Sequence, residues 1–169
     1  MKKTLTLFGL LFMCLLTFAQ NPCPQVIPAL QQWKGAKGTL ALPAQGSIVI
    51  NPQDEATLGQ TASILADDLK ELMGWEYTIT TGKAKKNDIY LSLSQPDEQL
   101  GKEGYVLAIN NKVSIEAPTT QGVFWGTRTL LQMLYRQEAT LAKGTTRDWP
   151  EFPSRGFMLD VGRKFFTLD

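Results

Sequence analysis

The chain has 169 residues, 17 Lys and Arg against 16 Asp and Glu, and a formal net charge of +1. That near-neutral balance, with no Lys/Arg cluster, gives no reason to expect nucleic acid or an anionic membrane as partner. With 43% hydrophobic and 20% charged residues, general disorder is excluded and one packed domain with some chain to spare is expected.

Residues 1–19 have the three parts of a signal peptide: Lys2 and Lys3, a mostly apolar run over 5–16, and Thr17-Phe18-Ala19 with small residues at the positions a peptidase reads. The run is shorter than the roughly 20 residues that span a bilayer, so cleavage before Gln20 and export are expected, with no membrane span thereafter. Periplasm, cell surface and medium are equally compatible with this. Lys2 and Lys3 leave with the segment, so the remainder carries 15 basic and 16 acidic residues. Cys23 is then the only cysteine, and no intramolecular disulfide can form. There is no histidine, which excludes a His-based triad or a His-containing zinc site within these residues. No metal or organic cofactor is indicated.

Two short strands are predicted over 38–42 and 47–50, stopped by Pro43 and by Asn51-Pro52. Residues 56–73 read as a helix, with Leu58, Ala62, Leu65, Leu69 and Leu72 at three- and four-residue spacings and Gly74 as its left-handed stop. Asp54-Glu55 is an adjacent acidic pair, read as favouring the helix amino end and not as chemistry. Strands are expected over 76–80 and 88–94, the latter alternating Ile89, Leu91 and Leu93 with polar residues. A hairpin follows, 104–109 and 113–117 around Asn110-Asn111-Lys112. Residues 122–135 predict a second helix to cover the remaining apolar sheet face, with Tyr105, Phe124 and Trp125 read as packing between helix and sheet. Gly122 and Gly126 lack the dense glycine pattern of a phosphate loop. Residues 137–146 read as a polar connection and 149–153 as a Pro-fixed linker. Residues 156–161 are nearly all apolar, as for a strand covered on both faces. The fold class is therefore α+β: a mainly antiparallel sheet covered by two helices.

Three stretches, in this order and spacing, resemble family 20 glycoside hydrolases, the β-N-acetylhexosaminidases: GYVLAI (104–109) with VSIEA (113–117), GVFWGTRTLLQML (122–134), and DWPEFPSRGFMLDV (148–161) running on to RKFF (163–166). After the signal peptide over 1–19, the resemblance implies an amino-terminal α+β domain over 20–147, and a linker and first strand of a (β/α)8 barrel over 148–169, with the barrel truncated. It implies terminal N-acetylglucosamine or N-acetylgalactosamine glycans as substrates, and a retaining, substrate-assisted reaction in which the acetamido oxygen is the nucleophile. An adjacent Asp-Glu pair on a later barrel strand serves that reaction in the family, so no catalytic residue is assigned here and the chain alone is expected to be inactive. Arg155, the arginine of the Arg-Gly step, is the one residue carried over, as a donor to sugar hydroxyls. Asp160 is expected in a structural ion pair with Arg163, and Lys164 stands where the family often has histidine. The alternative is a noncatalytic carbohydrate-binding or accessory domain; epimer, linkage and oligomeric state are left open.

Overall fold

The computed structural model describes residues 20–136, 139–156, 158 and 162. The signal segment and the strand expected over 156–161, with Asp160, Arg163 and Lys164, lie wholly or largely outside the described residues. Seven strands and two helices form two layers: β1 (Gln32–Ala41), β2 (Gln45–Ile50), α1 (Glu55–Met73), β3 (Glu76–Thr81), β4 (Ile89–Leu93), β5 (Tyr105–Ile109), β6 (Val113–Ala117), α2 (Thr120–Arg136) and β7 (Thr140–Asp148). A short 3-10 turn, Pro52–Asp54, leads into α1.

The strands make one sheet in the order β1-β7-β5-β6-β4-β2-β3. The α+β class stands, and the sheet is mixed. Strands β1, β7, β5 and β6 pair antiparallel, whereas β6, β4, β2 and β3 pair parallel. Parallel neighbours need crossover connections, and α1 supplies one between β2 and β3. Helix α2 carries the chain from β6 across β5 to β7.

Both helices lie on the same face. Ile48, Ile50, Ile89, Leu91, Leu107, Ile109 and Ile115 of the sheet share one core with Leu58, Leu65 and Leu69 of α1 and Leu130, Met133 and Leu134 of α2. The helices touch, and Arg128 Nη1 lies 2.6 Å from Asp68 Oδ2 between them. The strands need only one apolar face because alternate residues point away from the helices; Tyr90, Ser114 and Ala108 are accordingly only half-buried.

Helix α1 stops where expected: Gly74 has φ +69°, and its N–H donates to Lys70 O at 3.0 Å. Leu72, expected on the apolar stripe, is instead more than half exposed. The start of α2 is capped by Thr119, whose hydroxyl accepts the Gly122 N–H at 3.1 Å. Gly122 and Gly126 let this helix sit against the sheet. A Cβ on Gly126 would lie 2.5 Å from Ile115 Cγ2, and one on Gly122 would lie 2.3 Å from Gly104 O.

The polar connection expected over 137–146 is a correction. Residues Thr140–Asp148 form β7, which bridges β1 to β5. Strand β1 is likewise longer than expected, ten residues in place of five. Its register against β7 shifts between Gly35 and Thr39, and Gly38 there has φ +81°.

Candidate functional site

Chemistry-bearing side chains gather where β7 ends, β5 begins and α2 starts. Strand register sets Tyr105 opposite Asp148. The Tyr105 hydroxyl donates to Asp148 Oδ2 at 2.8 Å, and Thr129 Oγ1 lies 2.6 Å from the same phenolic oxygen. Since that phenol proton goes to the carboxylate, the Thr129 hydroxyl donates to Tyr105. The other carboxylate oxygen, Oδ1, accepts the Gln31 N–H at 2.9 Å. Tyr105 and the Gln31 backbone thus meet on one carboxylate at the last residue of β7, and Thr129 of α2 joins them through the phenol. Burial is the main cause that pushes the Tyr105 phenol far above its ordinary range, and the negative charge of Asp148 adds to it.

One residue earlier, Arg147 Nη2 reaches Asp97 Oδ1 at 2.7 Å and Oδ2 at 2.6 Å. Asp97 also accepts the N–H groups of Gln99 and Leu100 at 3.0 and 3.1 Å. The hydrogen bond from Arg147, then the Leu100 N–H, holds the Asp97 carboxyl below its usual value. This ties down the turn that runs into Glu103 and Gly104. The Thr119 hydroxyl donates to Lys102 O, which joins the same turn to the start of α2.

Arg155 lies beyond the linker, seven residues after β7. Its Nη1 donates to Phe152 O at 3.0 Å, and its Nη2 forms an ion pair with Glu103 Oε2. The Arg155 side chain is half exposed. The sequence-expected residue is therefore placed against a carboxylate of the amino-terminal layer that sequence reasoning did not single out. The available signal was only that Glu103 immediately precedes the Gly104-Tyr105 motif.

The other candidates resolve into structural roles. Asp54 is buried, but its side chain does not cap α1. Its Oδ2 accepts the Asn51 Nδ2–H at 2.8 Å and the Leu93 N–H at 2.9 Å, joining the end of β2 to β4. Tyr105 is core, as expected. Trp125 is not: it is 38% exposed and meets the Phe124 ring edge-on, with the Arg128 guanidinium 4.6 Å from that ring's centre. Cys23 is free and exposed. Lys83 and Lys112 border a shallow depression of about 520 Å³ with Asn51 and Tyr90, and Lys112 Nζ stands 4.7 Å from the Tyr90 ring centre; Arg155 is not part of it. Among the described residues no group of three or more Cys, Asp or Glu gathers as a metal site, and no helix is long and apolar enough to cross a membrane.

The glycines under α2 and the Tyr105–Asp148 junction fall within a match, over residues 23–149, to the model of glycosyl hydrolase family 20, domain 2. The chain belongs to that family. It is 32% identical over 138 residues to a lacto-N-biosidase of Bifidobacterium bifidum, covering 80% of this chain and 12% of that protein. It is 28% identical over 155 residues to a beta-hexosaminidase of Porphyromonas gingivalis, covering 85% of this chain and 19% of that one. Among solved structures, the Streptomyces plicatus N-acetyl-beta-hexosaminidase superposes with a TM-score of 0.68 at 26% identity, covering 88% of this chain and 30% of that chain. The chain therefore spans less than a third of the length of each of these relatives.

Proposed function

We propose that the chain is the amino-terminal part of an exported β-N-acetylhexosaminidase: a signal peptide over 1–19, an α+β domain over 20–147, and from 148 the linker and opening strand of the catalytic barrel. The observation that carries this is the family match over 23–149, followed directly by a linker that brings Arg155 to the end of the sheet. In the complete enzyme the acetamido oxygen of a terminal N-acetylhexosamine attacks the anomeric carbon. A protonated Glu gives its proton to the departing glycosidic oxygen, and the neighbouring Asp orients the acetamido group. The same Glu, now a base, takes a proton from water as the water opens the oxazolinium ring. The hemiacetal product thus keeps the β configuration. Arg155 holds sugar hydroxyls with its guanidinium donors. Neither the acid nor its Asp partner is assigned to these residues.

The test is hydrolysis of p-nitrophenyl N-acetyl-β-glucosaminide and its galactosaminide epimer by the complete enzyme, with the first product followed by NMR. Release of the β-anomer supports the reading, and release of the α-anomer overturns the mechanism. Residues 20–169 alone are expected to show no turnover. A noncatalytic glycan-binding domain is the second reading, and the single core that the described residues from Val26 to Leu141 build together supports it. Absence of turnover in the complete protein together with retained binding of N-acetylglucosamine would select it.

A further inference from the structure

We propose that Glu103, in the amino-terminal layer, is a positioning residue for Arg155. Its carboxylate fixes the guanidinium so that the unused donors meet the sugar. This rests on the substrate role proposed for Arg155 and adds the residue that sets it.

The guanidinium has two anchors, Glu103 Oε2 on Nη2 and Phe152 O on Nη1. Arginine carries five N–H donors in a rigid plane, so three remain for a ligand once two are anchored. One anchor alone would leave the plane free to rotate about the long side chain. The second is what gives it a direction.

Glu103 is well placed to serve as that anchor because its own backbone is braced on both sides. The carbonyl of Lys102 accepts the Thr119 hydroxyl, and the Gly104 N–H donates to Leu100 O at 2.8 Å. The turn behind it is held by the two-oxygen contact between Asp97 and Arg147. Gly104 brings this turn against the end of β7: a Cβ there would lie 2.5 Å from Leu100 O and 2.9 Å from Asp148 O. Exposure of the pair is asymmetric. The Glu103 side chain is 21% exposed and that of Arg155 is 49% exposed. The more sheltered acid is the fixed partner in this pair. An ion pair of this exposure contributes little to stability, so its effect is expected in ligand geometry.

The experiment is a double-mutant cycle in the complete enzyme, read on p-nitrophenyl N-acetyl-β-glucosaminide with thermal midpoints measured in parallel. Arg155→Ala is expected to raise KM about tenfold or more, the scale of lost charged hydrogen bonds. Glu103→Ala is expected to raise KM about threefold with the midpoint unchanged, and Glu103→Gln, which keeps an acceptor, to raise it less. In the Arg155→Ala background, Glu103→Ala should add nothing, because there is no guanidinium left to orient. The proposal is overturned if Glu103→Ala leaves KM unchanged while Arg155→Ala raises it, or if its effect persists undiminished without Arg155. If Arg155→Ala changes neither KM nor kcat, the substrate role of Arg155 itself is lost, and the positioning role falls with it by a separate and recognisable result.

Discussion

The parallel half of the sheet, β3-β2-β4 under α1, and the antiparallel half, β1-β7-β5 with the start of α2, are held together by different physics. The parallel half is closed by apolar side chains. Ile48, Leu58, Leu65, Leu69, Ile89 and Leu91 are all fully buried. The antiparallel half contributes Leu107, Ile109 and Leu141 to the same core but is pinned at its working end by polar contacts. The Thr146 hydroxyl donates to Gln32 O, Arg147 holds Asp97, and Asp148 gathers Tyr105 and Gln31. Apolar packing is strong but non-directional, and hydrogen bonds are weaker but fix direction. The difference teaches where each task is done. Both halves feed the one apolar core, and the polar contacts of the antiparallel half set the direction in which the chain leaves for Arg155.

The largest expected effect tests the first half of that contrast. Leu65 lies mid-way along α1 and is fully buried among residues of both helices and the sheet. Leu65→Ala should lower the unfolding free energy by about 2–5 kcal/mol, the range for a leucine deleted from a close-packed core. Urea unfolding of the purified chain, followed by circular dichroism, measures it. A loss below about 1 kcal/mol would mean that the core collapses freely around the gap and that apolar packing is not what closes this half.

The same contrast explains what was legible in the sequence. Helix α1 and strands β4 and β6 could be read because Leu58, Leu65 and Leu69 recur at helical spacing and Ile89 and Leu91 at strand spacing, each facing the single buried layer. Strand β7 could not, because Thr-Leu-Ala-Lys-Gly-Thr-Thr-Arg-Asp buries only Leu141, Gly144 and Thr146, and a register shift in its partner breaks the period of two. Asp54 was read as favouring the helix amino end, but its partner Leu93 is 39 residues away and left no local mark. Arg155 was reached through the family resemblance. Glu103 was missed because an acid before a glycine is ordinary until the fold brings a guanidinium to it.

A smaller effect tests the second half. Tyr105→Phe keeps the buried ring and removes only the hydroxyl that joins Asp148 to Thr129. Asp148 Oδ2 loses a donor, and the expected cost is about 1–2 kcal/mol. The more specific expectation is positional: backbone amide exchange at 148–152 should quicken while exchange in β2 and β4 stays as it was. Equal quickening in both halves would show that the hydroxyl supports the whole domain and would erase the proposed division of labour.

The smallest effect is the most directional. Arg147 and the Leu100 N–H hold the Asp97 carboxyl below its usual range, so the folded state favours the ionised form more than the unfolded chain does. The stability from this contact is fully present above the ordinary Asp value of about 3.9, and is lost as pH falls through the depressed folded value. Asp97→Asn removes the charge and keeps an oxygen that can still accept from Gln99 and Leu100. Thermal midpoints of the two forms, compared from about pH 6 down to about pH 2, should differ by a constant amount until the ordinary carboxylate range and converge below it. A difference that survives unchanged into strong acid would mean that the turn before Glu103 is held by its backbone geometry and not by the charge of Asp97. Because the Asp97–Arg147 pair is only partly sheltered from solvent, added salt should narrow the gap at neutral pH while leaving the loss caused by Leu65→Ala nearly untouched. The two halves of the sheet would then be told apart by ionic strength alone.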